Sequence, residues 1–202
     1  MARILLYYAH PGHRFSHANK AMWARAHNLS GITCVDLYAE YPRFQIDVET
    51  EQERLLNHDI IIFQCPFFWY STPALIKEWF DLVLEHGFAY GKGGDKLAGK
   101  SMMMALTAAG TEEAYTEQGY QHYPLRTFLT PIEQTARLSK MSFLPPYVLY
   151  GSLKAVPAGE IEPHAAAYAR LLTALRDDTF DTSRAQDLDV LEHTNLPIRG
   201  EG

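Results

Sequence analysis

Apolar residues follow two rhythms along this chain, short unbroken runs and stretches at helical spacing, and the two alternate. Ile4 to Ala9 is an apolar run with no turn residue inside it, which fits a strand buried on both faces. His10-Pro11-Gly12 breaks it, because proline cannot continue a central strand and glycine permits a sharp turn. Ser16 can cap a helix, and Ala18 to Asn28 reads as one. Ile32 to Leu37 is a second strand, reached over a connection long enough for a parallel crossover. Asp47 is placed to cap a helix over Val48 to Asn57, whose first turn is rich in glutamate as the helix dipole favours. Ile60 to Phe63 is the most hydrophobic run and is expected at the centre of the sheet. Thr72 should cap the next helix, with Pro73 in its first turn and Leu75, Ile76, Trp79, Phe80, Leu82 and Val83 on one apolar face.

Glu85 to Lys100 is glycine-rich and lacks the Lys-Ser/Thr pair of a phosphate loop, so it is expected to be a surface loop covering a pocket. Ser101 to Leu106 is a fourth strand, and Leu125 to Leu138 a helix that Pro131 should kink or restart. Met141 to Leu144 and Tyr147 to Tyr150 both offer a fifth strand, and the second is preferred. Pro163 to Arg176 is a closing helix. Residues 1–178 are expected to form one domain. Residues 179–202 read as an acidic extension, extended on a neighbouring subunit or loose. Five alternations of strand and helix predict a parallel sheet with helices on both faces.

Composition narrows the partners. Apolar residues make up 47% and charged residues 21% of 202, as in an ordinary soluble globular chain. The formal charge is −6, and the stretch from Asp177 onward, with seven acidic and two basic residues, holds most of the excess acid, so nucleic acid is a poor partner. No run approaches a membrane span and no secretory leader precedes Ile4, which gives a cytoplasmic expectation. Cys34 and Cys65 form no metal-type pair and are expected as free thiols. His10, His13 and His17 lack a nearby carboxylate or thiolate, so no metal is expected. The absence of a Gly-x-Ser-x-Gly elbow argues against a hydrolase.

The candidate chemistry lies in three loops after the first, third and fourth strands. Ligands of such sheets bind beyond the carboxyl ends of the strands, where strand order reverses. In a doubly wound sheet of order 2-1-3-4-5, a flavodoxin-like arrangement, those three ends converge. The first loop offers an anion seat at a helix start, the second offers flat side chains, and the third offers small residues. An anion joined to a planar ring system describes a flavin phosphate.

Ala9-His10-Pro11 with Ser16-His17-Ala18-Asn19, then Pro66-Phe67-Phe68-Trp69-Tyr70-Ser71 before Pro73, then Phe88-Ala89-Tyr90-Gly91 resemble the flavodoxin-fold NAD(P)H:quinone reductases. Among them the chain looks most like the bacterial ancillary oxidoreductases of glutathione-gated potassium efflux systems. The resemblance runs from about residue 3 to residue 175. It implies a non-covalent flavin (FMN favoured, FAD the alternative), NAD(P)H as co-substrate, a homodimer, and ping-pong hydride transfer to a quinone or another small electrophile. Two other roles stay open: an ancillary regulatory subunit at the inner face of the membrane beside a potassium efflux transporter, and a flavodoxin-like electron carrier. By position, the resemblance implies that His10, Ser16, His17, Ala18 and Asn19 hold the phosphate side. Pro66, Phe67, Phe68, Trp69 and Tyr70 would hold one isoalloxazine edge, largely through backbone N–H groups. Thr107, Ala108, Ala109 and Gly110 would line the other edge, where the family commonly has Thr-Thr-Gly-Gly. Tyr115 would stand as the catalytic hydroxyl, and Phe88 and Tyr90 at the acceptor site across a dimer interface.

Overall fold

The computed structural model describes residues 1 to 200, apart from the Phe15 side chain. Six strands form one parallel sheet: β1 (Ile4–Tyr8), β2 (Ile32–Asp36), β3 (Ile60–Pro66), β4 (Ser101–Thr107), β5 (Ser142–Phe143) and β6 (Tyr147–Leu149). Their order is β2-β1-β3-β4-β5, with β6 also paired to β4. Both candidates for the fifth strand are therefore strands, and they share one edge of β4. Met102 pairs with Phe143 and Ala105 with Tyr147, and between them Pro145 and Pro146 have no N–H to give the ladder.

Alternation sorts the strand residues onto two faces. Leu5, Tyr7, Ile61, Phe63, Met102 and Met104 pack against α3 (Val48–Leu56), α4 (Ala74–Val83) and α6 (Thr130–Leu138). Ile4, Leu6, Ile60, Ile62, Met103 and Ala105 face α1 (His17–His27) and α8 (Ile161–Arg176). Asp36 caps the short α2 (Leu37–Glu40), and Asp47 caps α3 as expected, its carboxylate accepting from Thr50 N. Pro131 restarts rather than kinks its helix, so α5 (Leu125–Phe128) precedes α6.

Some local expectations need correcting. Pro73 itself is the cap residue of α4 and no side chain caps that helix, so Thr72 lies one position outside. Leu82 is 39% exposed and belongs to the outer side of α4, because the helical turn that buries Trp79 and Val83 carries it past the core. β3 runs on through Gln64 to Pro66, residues expected in a loop. They pair with β4 up to Thr107, at the strand's last step, where a proline removes no interior bond.

The segment from Phe180 to Gly200 is neither extended nor loose. It forms α9 (Thr182–Gln186), capped by Asp181, and buries Phe180, Ala185, Leu191, Leu196 and Ile198 against the α8 side of the sheet. Leu191 N donates to Pro146 O and Leu191 O accepts from Val148 N, so the segment covers the β6 edge.

This segment also brings His193 beside His164 of α8. The His164 ring stacks on Tyr147 at 4.3 Å, with both ring nitrogens unpartnered, and lies 6.4 Å from the His193 ring. Burial first, and His193 second, hold the His164 pKa down at about 3. Unfolded, the same imidazole takes a proton near the ordinary value of about 6.5. Between those values the unfolded state binds more protons, so stability falls as pH is lowered, by up to about 1.4 kcal/mol per pH unit. Thermal midpoints are expected to drop as pH falls from about 6.5 to about 4, and His164→Phe, which keeps the stacking, should flatten that drop. Equal acid sensitivity in the variant would remove His164 as its cause.

Candidate functional site

The carboxyl ends of β1, β3, β4 and β6 open on a cleft of about 310 Å³. From the first loop His10, Ser16, His17 and Ala18 line it, from the second Pro66, Phe67 and Phe68, and from the third Thr107 and Ala109. The three bends thus meet at one place. Its fourth wall, Ser152, Leu153 and Val156, comes from the turn after β6 and the short α7 (Ala155–Ala158). The sequence carried a signal for it: Gly151 comes directly after an apolar run, and every strand end on this side of the sheet is a candidate wall.

At one end of the cleft α1 begins. Ser16 is its N-cap and accepts from Asn19 N at 3.2 Å. That leaves the His17 and Ala18 N–H groups, in the first turn, for an anion. His10 Nδ1 accepts from Gly12 N at 3.1 Å, so the ring hydrogen sits on Nε2. Burial, and next to it His13, lower the His10 pKa, so this imidazole is neutral at pH 7. His13 Nδ1 is 2.6 Å from the Tyr8 hydroxyl, and burial followed by Asp36 pushes the Tyr8 pKa up. His13 is exposed, and this contact ties its ring to the first strand.

The second loop is strained. Phe68 and Ser71 exchange both N–H···O bonds, at 3.1 and 3.0 Å, around Trp69 at φ +50° and Tyr70 at φ +63°. Two left-handed residues inside such a pair mark a type I′ hairpin turn, normally Asn-Gly. Bulky side chains there cost about 1–2 kcal/mol each, and strain of this kind collects at functional sites. Neither central N–H bonds within the protein among the described residues. Trp69 is 92% exposed at the tip, while Phe67 is buried against Tyr70, Tyr115 and Phe128.

Three bonds pin the third loop to the turn after β6: Ala108 N to Leu149 O, Gly151 N to Gly110 O and Ser152 N to Ala108 O. Ala108 is consequently buried below the cleft, whereas Ala109 stands at its surface. The N–H groups of Ala109 and Gly110 donate to no acceptor among the described residues. A Cβ on Gly110 would lie 2.9 Å from the Tyr115 ring, so only glycine lets this loop approach so closely.

Several expected site residues stand outside the cleft lining. Asn19 is buried beneath it, and Trp69 and Tyr70 form its outer lip. Tyr115 is 8% exposed behind Gly110, and burial first, then Tyr70, raise its pKa, keeping the hydroxyl protonated. Phe88 packs onto the core, and Tyr90 lines a separate groove with Thr72, Phe80 and Ile132. Among the described residues no group of three or more His, Cys, Asp or Glu is arranged to hold a metal. No helix among them is long and apolar enough to cross a membrane.

A parallel sheet of this order, with a strand-end cleft of anion seat, aromatic turn and small-residue loop, defines a class. The chain belongs to the flavodoxin-like fold family, whose model matches residues 2–172. Within that class it belongs with the glutathione-regulated potassium-efflux system ancillary proteins KefG. It is 42% identical to the one from Enterobacter sp. (strain 638) over 86% of this chain and 94% of the relative. Among solved structures, a chain described as a thermophilic tryptophan halogenase from Streptomycin violaceusniger is 40% identical, with a TM-score of 0.78 over 84% of this chain and 96% of that one. The general stress protein 14 of Treponema denticola, solved with FMN, is 31% identical, with a TM-score of 0.77 over 87% and 98%. An NADPH-quinone reductase from P. pentosaceus is 27% identical, with a TM-score of 0.72 over 83% and 96%.

Proposed function

We propose that this protein is a flavin-dependent oxidoreductase that takes hydride from NAD(P)H and passes it to a quinone or related electrophile in a ping-pong scheme. One observation carries the proposal: a single cleft brings the start of α1 together with the aromatic loop after β3 and the small-residue loop after β4. Its neighbours support it, one a protein solved with FMN and another named an NADPH-quinone reductase. FMN is the flavin proposed.

The residues present fit such a group. The His17 and Ala18 N–H groups at the start of α1 suit its phosphate, with His10 Nε2–H as a neutral donor beside them. The N–H groups of Trp69, Tyr70, Ala109 and Gly110 suit the polar edges of a flat ring. Phe67 and Phe68 present apolar surface and keep water away from it. Tyr115 braces the third loop from behind, and its hydroxyl reaches a ligand only past Gly110. A bound flavin supplies the hydride carrier that no amino-acid side chain offers.

The purified protein is expected to be yellow, to release FMN on heating, and to bleach anaerobically with NADH or NADPH. A colourless preparation that neither FMN nor FAD restores would overturn the proposal. Kinship with the KefG ancillary proteins favours a second role, docking on a potassium efflux transporter. Co-purification with such a transporter, and altered efflux on deletion of the protein, would establish that role.

A further inference from the structure

Beneath the cleft, three polar side chains link the elements that build it: Gln64 on β3, Asn19 on α1 and Thr107 on β4. They are 0%, 1% and 6% exposed. Gln64 Nε2 donates to the main-chain oxygen of Asn19 at 2.9 Å and faces Asn19 Oδ1 at 3.5 Å. Asn19 Nδ2 donates to Thr107 Oγ1 at 2.7 Å. The direction of these hydrogen bonds is forced. A main-chain carbonyl oxygen only accepts, so the Gln64 atom beside it is the amide nitrogen. That turns the Asn19 oxygen toward Gln64 and its NH₂ toward Thr107. Gln64 Oε1 is left buried without a partner, at a cost of about 1–3 kcal/mol. Flipping the amide would set Oε1 against the Asn19 oxygens, so the unmet acceptor accompanies a fixed polarity.

We propose that Gln64 and Asn19 are positioning residues, whose amides fix the Thr107 hydroxyl as a hydrogen-bond donor into the cleft. A free hydroxyl rotates to suit either a donor or an acceptor. This one already accepts from Asn19, and its own hydrogen has no acceptor among the described residues. Thr107 lines the cleft. One lone pair of the oxygen stays open, but a ligand N–H placed there would leave the buried hydroxyl hydrogen without an acceptor, so the atom favoured opposite it is an acceptor, a ring carbonyl or unprotonated ring nitrogen. The identity of the ligand rests on the flavin proposal above; the direction of the hydrogen bonds does not.

FMN is the probe, titrated by the change in its fluorescence on binding. Thr107→Val is expected to raise the Kd for FMN about tenfold, the loss of one such bond, and to shift the visible bands of bound FMN. Thr107→Ser should restore both. Gln64→Met, which frees the Asn19 amide to turn over, should weaken binding in the Thr107 protein and add nothing in the Thr107→Val background. Unchanged affinity in Thr107→Val, or additive effects of the two substitutions, would overturn the relay. If the unaltered protein binds neither FMN nor FAD, the flavin proposal falls and the relay is tested by NMR of the protein alone. The Asn19 side-chain amide protons are then expected to exchange slowly, and to move on Thr107→Val but not on Thr107→Ser. A fast-exchanging Asn19 amide would overturn the relay whatever the ligand.

Discussion

Deleting residues 179–202 is expected to lower the thermal midpoint by about 6–20 °C. Phe180, Leu191, Leu196 and Ile198 are nearly or wholly buried, none more than 8% exposed. Each such side chain is worth about 1.5–3 kcal/mol when fully buried. Ordering the segment offsets much of that gain, leaving a net loss of about 3–5 kcal/mol. For a chain of this size 1 kcal/mol moves the midpoint by about 2–4 °C. The deletion also strips the partners of Pro146 O and Val148 N, baring the β6 edge. Light scattering on warming should therefore rise earlier than in the full chain. A truncated protein with the full-length midpoint would show that the packing of this segment carries no stability. The family model ends at residue 172, so this edge cover is built from residues beyond the matched stretch.

Glu51→Ala is expected to cost about 3–5 kcal/mol, the usual loss when one partner of a buried charged network is removed. Glu51 is 0% exposed on α3. Its carboxylate accepts from Tyr41 Oη at 2.6 Å and Trp79 Nε1 at 3.0 Å, and also from Tyr7 Oη and Arg54. One side chain therefore ties β1, the end of α2 and α4 together. Burial first, and then Glu51, raise the Tyr7 pKa, so its hydroxyl stays a donor throughout the physiological range. The alanine variant leaves three neutral donors and a half-buried guanidinium without their acceptor. Glu51→Gln, which keeps one acceptor oxygen, should lose less. Urea unfolding of the three proteins measures the order, and a loss below about 1 kcal/mol in the alanine variant would mean the network is incidental.

Much of this was legible in the chain itself. The apolar run before His10-Pro11-Gly12, the capping Ser16 and the aromatic string after Pro66 each carry their local meaning in residue type and spacing. The run and the cap are local matters of burial and helix-end chemistry, so the first strand and the start of α1 fall where expected. The doubly wound order came with them, because buried, helix-separated strands have few ways to pair.

Other features depend on residues far apart in sequence. Gly151 signals a strand end, but it does not show that Ser152, Leu153 and Val156 wall the cleft, and nothing in the spacing shows that Tyr90 faces a different groove. Those outcomes depend on how Pro145 and Pro146 divide the last strand and where α4 and α6 meet. The resemblance implies a phosphate-side role for Asn19, yet the turn of α1 carries it inward to Thr107, 88 residues away. The acidic residues after Asp177 suggest solvent. The apolar side chains interleaved with them find the α8 side of the sheet, a surface that exists only once the chain has folded.

By itself, then, the sequence determined the main strands, the Ser16 and Asp47 caps and the three loops that meet at the cleft, since these arise from local backbone preference and apolar periodicity. Only the tertiary structure decided which side chains face the cleft, which lie beneath it as its hydrogen-bonded floor, and where the final segment rests. Each of those outcomes requires partners contributed by distant parts of the chain.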